Sequence, residues 1–150
     1  ALRERNREER RAAQEDDLVE ETAERFLSVI TELIRSGKAR VESLGEPREG
    51  EQREGPLLGY GDDQYVYVRP DIAYELVTRE CRAQGSPFPV TQHAMLRCLR
   101  EAGATLADTS GKTKSTRLKR VGGKVARYLW LHRDKVEAVD PEGNDAHVRT

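Results

Sequence analysis

The chain has 150 residues, of which 36% are hydrophobic and 35% charged, and its formal net charge is −1. This length predicts one domain with extensions, and the composition predicts a packed core shorter than the chain. The N-terminal sequence is too polar for a secretory signal, and no apolar run approaches the length of a membrane span. We therefore expect a soluble, cytoplasmic protein.

The N-terminal third is predicted to be helical. Residues 1–17 alternate acidic and basic side chains, which is typical of a charged helical arm or a linker. From Leu18 to Gly37, apolar residues recur at helical spacing and occupy one arc of about 120°. We expect this helix to pack as the first core helix. A dimer interface through residues 18–36 is the alternative.

A short strand and a small hairpin are predicted next. Residues 39–44 form the strand, and the polar, glycine- and proline-rich residues 45–56 form a mobile loop. Residues 57–60 and 65–68 flank the turn formed by residues 61–64, so they are expected to pair as a hairpin.

Two helices joined by a short, proline-rich connection follow. The first begins at Pro70 and continues to about Gln84. The second begins after Thr91, which can cap it, and ends before Gly103. Its predicted inward face holds Met95, Leu96, Leu99 and Ala102. Its predicted outward face holds His93, Ala94, Arg97, Arg100 and Glu101.

The basic charge is concentrated in residues 108–133, where eight Lys or Arg and one Asp give a local charge of +7. The pair Gly122-Gly123 predicts a tight hairpin turn, because both central positions of a type I′ turn need positive φ. Strand alternation then places four apolar side chains on one face, which is expected to be core: Leu118, Val125, Leu129 and Leu131. Arg120 and Arg127 share this face. The other face holds Arg117, Lys119, Lys124, Tyr128 and Trp130.

The order helix, strand, helix, helix, strand, wing, strand is that of the winged helix-turn-helix. We therefore predict an α+β, mainly helical winged-helix domain over residues 18–136, with a long N-terminal helix, a C-terminal basic β-hairpin wing and a flexible acidic tail at 137–150. In this fold the second helix of the pair enters the major groove and the wing contacts the backbone. The candidate DNA-binding residues are Thr91, Gln92, His93, Arg97, Arg100, Lys112, Lys114, Arg117, Lys119, Arg120 and Lys124.

Motifs for catalysis are incomplete. Gly111-Lys112-Thr113 resembles the end of a phosphate-binding loop, but Leu106 stands where the upstream glycine is needed. His132-Arg133-Asp134 resembles a kinase triplet, but Val139 stands where asparagine is needed. The histidines and cysteines lack metal-ligand spacing, and Cys81 and Cys98 are expected to be free thiols. We expect no enzymatic activity, cofactor, metal or small-molecule substrate.

Three stretches carry a family resemblance: residues 58–70, the segment Phe88-Pro89-Val90-Thr91, and residues 117–123. Together they resemble the C-terminal region of helicases or ATPases encoded by phages and mobile elements. The resemblance implies a winged-helix appendage that helps a replication motor to grip duplex or forked DNA. The chain itself has no Walker motif or arginine finger, so the resemblance implies that any motor lies outside it.

Other functions fit parts of the pattern. A stand-alone transcription regulator would dimerise through the long helix, and a protein-interaction module would dock an acidic partner on the basic hairpin. The hairpin is also compatible with a solvated sheet edge that lysines protect from aggregation, with Tyr128 and Trp130 buried.

Overall fold

The computed structural model describes residues 2–45 and 54–137, and within them the chain forms an α+β fold. The helices are α1 (Leu2–Arg35), α2 (Pro70–Ala83), α3 (Gln92–Glu101) and α4 (Arg133–Glu137). The strands are β1 (Arg40–Ser43), β2 (Leu57–Gly61), β3 (Tyr65–Val68), β4 (Arg117–Val121) and β5 (Lys124–His132). They form one mixed sheet in the order β1-β2-β3-β5-β4.

The sheet combines one parallel and three antiparallel pairings. Strand β1 runs parallel to β2, while β2–β3, β3–β5 and β4–β5 are antiparallel. The register predicted for the basic hairpin is confirmed, with Val121 opposite Lys124 and Arg117 opposite Tyr128. Gly122 and Gly123 form its turn, both with positive φ.

Helix α1 continues back to Leu2 without a break, so the charged segment is a helical arm, one of the two predicted alternatives. Its apolar stripe is buried in the core of this chain, as expected for a first core helix. The buried residues include Phe26, Ile30 and Leu33. These residues of the stripe therefore pack within this chain.

The core lies between the helices and one face of the sheet. Strands β3 and β5 contribute Val66, Val68, Leu129 and Leu131 to it. The prediction that Leu118 and Val125 are also core residues is wrong, because their exposed fractions are 57% and 50%. They lie on the predicted side of the hairpin, but this part of the hairpin projects beyond the helices that cover the core.

The two helices before the basic hairpin begin and end as predicted. Pro70 occupies the first turn of α2, and Gly103, with φ of 74°, follows α3. Cys81 and Cys98 on these helices are buried and free, which confirms the thiol prediction.

The sequence does not predict α4. This short helix follows β5 directly, and its Val136 belongs to the core cluster. Most of the loop predicted at 45–56 and of the tail predicted at 137–150 lies outside the described residues.

Candidate nucleic-acid interface

Helix α3 presents a polar surface at its N-terminal half. The Thr91 hydroxyl accepts a hydrogen bond from the backbone N–H of Ala94 at 3.2 Å, so it caps the helix as predicted. His93 and Arg97 are exposed, and Gln92 is half-buried. Met95 and Leu99 anchor the opposite side of α3 in the core. The outward direction of these predicted site residues follows from that packing.

A hydrogen bond joins α3 to the segment that leads into the basic hairpin. Nη1 of Arg100 donates to Oγ of Ser115 at 2.9 Å. Arg127 on β5 donates to the Thr116 carbonyl at 2.9 Å and forms an ion pair of 3.4 Å with Asp108. These contacts tie the base of the hairpin to α3 on one side and to its preceding loop on the other.

The projecting part of the hairpin has two different faces. The helix-side face, on the same side of the sheet as the core, carries Leu118, Arg120, Val125 and Arg127. Arg120 is exposed and donates to the Gly123 carbonyl at 3.2 Å across the turn. This face therefore combines accessible cations with accessible apolar side chains.

The opposite side of the sheet carries a cluster of rings that we call the aromatic face. It consists of Tyr60, Tyr65, Tyr67, Tyr128, Trp130 and His132. None of these side chains belongs to the hydrophobic core cluster. Tyr67 and Tyr128 are buried, whereas the other four rings are half-buried.

Arg117 and Lys119 extend over the aromatic face. The guanidinium carbon of Arg117 lies 4.9 Å from the centre of the Trp130 ring. Nζ of Lys119 lies 4.8 Å from the Tyr67 ring centre and 5.7 Å from that of Trp130. Both distances fit cation–π attraction.

Most of the predicted site residues thus divide into two groups, and three lysines lie outside both. Arg120 and the α3 residues belong to the helix side of the sheet, whereas Arg117 and Lys119 belong to the aromatic face. Lys112 and Lys114 are exposed in the loop before β4, and Lys124 is exposed at the start of β5. No single flat surface contains all eleven predicted residues.

Asp108 orders the loop that carries Lys112 and Lys114. Its backbone pairs with that of Lys114, and its carboxylate accepts hydrogen bonds from Ser110. The Ser110 hydrogen bonds, with help from Arg127, lower the pKa of Asp108. The loop therefore presents its lysines from a defined turn.

Asp62 and Tyr67 form a hydrogen-bonded pair at the edge of the aromatic face. Burial alone would raise the pKa of Asp62, but the Tyr67 hydroxyl and the N–H groups of Tyr65 and Gln64 donate to its carboxylate and lower it. Lys119 adds a smaller electrostatic contribution in the same direction. Burial and the neighbouring carboxylate raise the pKa of Tyr67. This pair fixes the turn between β2 and β3.

The sequence alone does not reveal that β2 and β3 contribute to the aromatic face. A signal was present, because Tyr65 and Tyr67 alternate with Val66 and Val68 as a half-buried strand requires. Bringing them beside Trp130 requires the pairing of β3 with β5, which alternation within one strand does not specify.

Residues 2–45 and 54–137 contain no group of three or more His, Cys, Asp or Glu side chains that could hold a metal ion. Over the same residues, no helix combines the length and apolar character that crossing a membrane requires. Comparison with protein-family models, curated proteins and solved structures found no match to this chain.

Proposed function

We propose that residues 18–136 form a winged-helix domain that binds duplex or forked DNA without catalysing a reaction. Helix α3 is the recognition helix, and the β4–β5 hairpin is the wing. The order α2, α3, β4, β5 and the adjacency of β3, β5 and β4 in the sheet support this topology.

The observation that carries the proposal is the hydrogen bond between Arg100 on α3 and Ser115 at the base of the hairpin. It couples the helix that would enter the major groove to the element that would follow the backbone. A preorganised pair of elements loses less conformational entropy on binding than two independent ones.

The exposed side chains have suitable chemistry for these two roles. Gln92, His93 and Arg97 can reach base edges from the N-terminal half of α3, and arginine pairs with guanine through two hydrogen bonds. Lys112, Lys114 and Arg120 would neutralise phosphates, which carry most of the affinity in protein–DNA complexes. The resemblance to helicase C-terminal regions makes forked DNA the substrate to compare with plain duplex.

The test is fluorescence anisotropy of labelled duplex, forked and single-stranded DNA over a series of salt concentrations. With about four to six phosphate contacts, the slope of log affinity against log salt on duplex should be roughly −4 to −5. A flat salt dependence, or no duplex binding at low salt, would refute the proposal.

The arginine on α3 gives a sharper test. Arg97→Ala should weaken duplex binding by about 1 to 3 kcal/mol and relax sequence preference if Arg97 reads bases. Arg82→Ala, an equal charge change at an exposed site on α2, is the matched control and should have little effect. Equal losses in both variants would indicate general charge attraction instead of a defined interface.

One observation favours a second function, docking of an acidic protein partner on the hairpin. Leu118 and Val125 are large apolar side chains exposed on the helix-side face next to Arg120. Phosphates make no use of apolar side chains, whereas a protein partner would bury them. Leu118→Ser together with Val125→Ser should leave DNA affinity unchanged under the first proposal and abolish partner binding under the second.

A further inference from the structure

The aromatic face concentrates the rings of this protein outside its core. The sequence holds five Tyr, two Phe and one Trp. Four of the tyrosines and the tryptophan lie on the aromatic face, whereas Phe26 and Phe88 are core residues. Aromatic side chains usually contribute to the main core because they bury the most area. Their concentration on the other side of the sheet requires a separate explanation.

The rings form two contact groups, one of Tyr65, Tyr67, Trp130 and His132 and one of Tyr60 and Tyr128. Tyr65 lies 5.5 Å from Trp130 and 5.4 Å from His132 between ring centres. Tyr67 meets Trp130 edge to face at 5.0 Å, and Tyr60 meets Tyr128 in the same way at 6.3 Å. The half-buried rings, Tyr65, Trp130 and His132, are neighbours across β3 and β5. All three rings are partly exposed to solvent.

The cations on this face lie over rings, and Lys119 also interacts electrostatically with the Asp62 carboxylate at its edge. Among the described residues, no Asp or Glu forms an ion pair with Arg117 or Lys119. Arg117 also donates to the Ala107 carbonyl at 3.2 Å, which fixes its position over Trp130. A negatively charged ligand would therefore meet positioned cations without displacing a carboxylate from an ion pair.

Trp130 has an unmet hydrogen bond. Its indole Nε1 is buried and has no acceptor among the described residues. An indole N–H can only donate, and a buried donor without an acceptor costs free energy. This donor belongs to the ring over which Arg117 and Lys119 lie.

We propose that the aromatic face binds unpaired nucleotides of a single-stranded nucleic acid. Bases stack on Tyr65 and Trp130, and Arg117 and Lys119 contact the phosphates. Stacking on aromatic side chains beside cations is the general chemistry of single-strand recognition, since every base has a π surface. An acidic peptide would need the cations but would leave the rings without a function.

This site does not depend on the duplex interface, because the two lie on opposite sides of the sheet. Binding at both would place a duplex against α3 and the helix-side face, and an unpaired strand against the aromatic face. The chain would then favour DNA that contains both forms over either form alone.

The single tryptophan makes the proposal directly measurable. Titration of the whole chain with a twelve-nucleotide oligothymidylate should quench Trp130 fluorescence in a saturable way, because stacked thymine quenches indole emission. An abasic oligonucleotide with the same number of phosphates should bind roughly fivefold or more weakly, in line with the stacking energy of one or more bases. It should also leave the emission nearly unchanged.

Adjacent residues on opposite faces of β4 separate the two sites. Lys119→Glu should weaken oligothymidylate binding by about tenfold and leave duplex binding within about twofold. Arg120→Glu should weaken duplex binding by about tenfold and leave oligothymidylate binding within about twofold. Tyr65→Leu should lower oligothymidylate affinity by roughly fivefold to tenfold through lost stacking. Arg82→Glu on α2 is the neutral control, and circular dichroism confirms that each variant is folded.

Three outcomes would overturn the proposal. The first is no quenching by oligothymidylate at low salt, and the second is equal binding of the abasic strand. The third is equally tight, Tyr65-independent binding of polyglutamate, which would assign the face to an acidic protein. If Arg120→Glu still weakens duplex binding in these cases, the duplex proposal stands alone. If Lys119→Glu leaves oligothymidylate binding unchanged and Arg120→Glu leaves duplex binding unchanged, both proposals fail.

Discussion

Strand β5 has two halves that share one alternation and differ in burial. In the C-terminal half, Leu129 and Leu131 are fully buried, whereas Val125 on the same face of the N-terminal half is 50% exposed. The C-terminal half lies between β3 and a segment that includes Thr105, which bridges to Leu131. The N-terminal half pairs with β4 alone. Alternation decides the side of the sheet, but the neighbouring elements decide whether that side is covered.

On the core-facing side of β5, the same division separates stability from recognition. Leu129 and Leu131 of the enclosed half belong to the core cluster, so they hold the fold together. The projecting half contributes little buried area, so its residues can be replaced with little loss of stability and can instead be suited to a binding partner. Substitutions of core-facing residues in the enclosed half should therefore change the free energy of unfolding, whereas substitutions in the projecting half should change binding affinity.

The largest expected effect comes from comparing two leucine substitutions, one in the enclosed half of β5 and one in the projecting part of the hairpin. Leu131→Ala should lower the free energy of unfolding by about 2 to 5 kcal/mol through lost burial and a cavity. Leu118→Ala removes the same atoms from a side chain that is 57% exposed, so it should change stability by less than about 0.5 kcal/mol. Urea unfolding followed by circular dichroism measures both. Similar losses would mean that the projecting half is packed as tightly as the enclosed half.

Local signals in the sequence predicted most of the elements. Thr91 and Gly103 bound α3, Pro70 opens α2, and Gly122-Gly123 fixes the hairpin register. These features act within a few residues through capping, fixed φ or positive φ, so they need no knowledge of distant contacts. The outward direction of Arg97 follows in the same way from helical periodicity.

The features that the sequence did not reveal depend on distant contacts. The exposure of Leu118 and Val125 depends on where the helices end relative to the hairpin, and the aromatic face depends on the pairing of β3 with β5. Helix α4 spans five residues, too few to show a periodic pattern. Candidate DNA-binding residues could thus be selected by charge, but their division between two faces required the register of the whole sheet.

Two glycines in different surroundings, Gly59 and Gly111, provide the next test of the contrast between enclosed and projecting regions. A Cβ at Gly59 would collide with the backbone carbonyl oxygen of Tyr67, so Gly59→Ala must push β2 away from β3. The expected loss is about 1 to 3 kcal/mol. Gly111, in the loop before the hairpin, has open space around its Cβ position, and Gly111→Ala should stay within about 0.5 kcal/mol. Thermal unfolding of the two variants would show equal midpoints if the sheet tolerated the separation of β2 from β3.

A smaller effect is expected where the enclosed and projecting regions are joined. Arg100→Ala and Ser115→Ala each remove the hydrogen bond between α3 and the base of the hairpin, and each should cost about 0.5 to 1.5 kcal/mol. The double variant should cost less than the sum of the two, because both single changes break one interaction. Additive losses in this double-mutant cycle would mean that the contact does not couple the two elements. Both single variants should also weaken duplex binding, which anisotropy measures independently.

The smallest effect concerns acid stability at the edge of the aromatic face. Burial opposes ionisation of Asp62, but the hydrogen bonds from Tyr67 and from the backbone of Tyr65 and Gln64 lower its folded-state pKa below the ordinary 3.8. A lowered folded-state pKa contributes stability that is present above pH 3.8 and is lost as the pH falls through the folded-state value. Tyr67→Phe removes one of these hydrogen bonds and brings the folded-state pKa closer to 3.8, so the stability lost on acidification should be smaller than in the unmodified chain. Asp62→Asn should remove this component of the limb, and urea unfolding between pH 6 and pH 2 would detect both changes. Superimposable acid limbs in all three proteins would show that Asp62 binds its proton equally well in the folded and unfolded states.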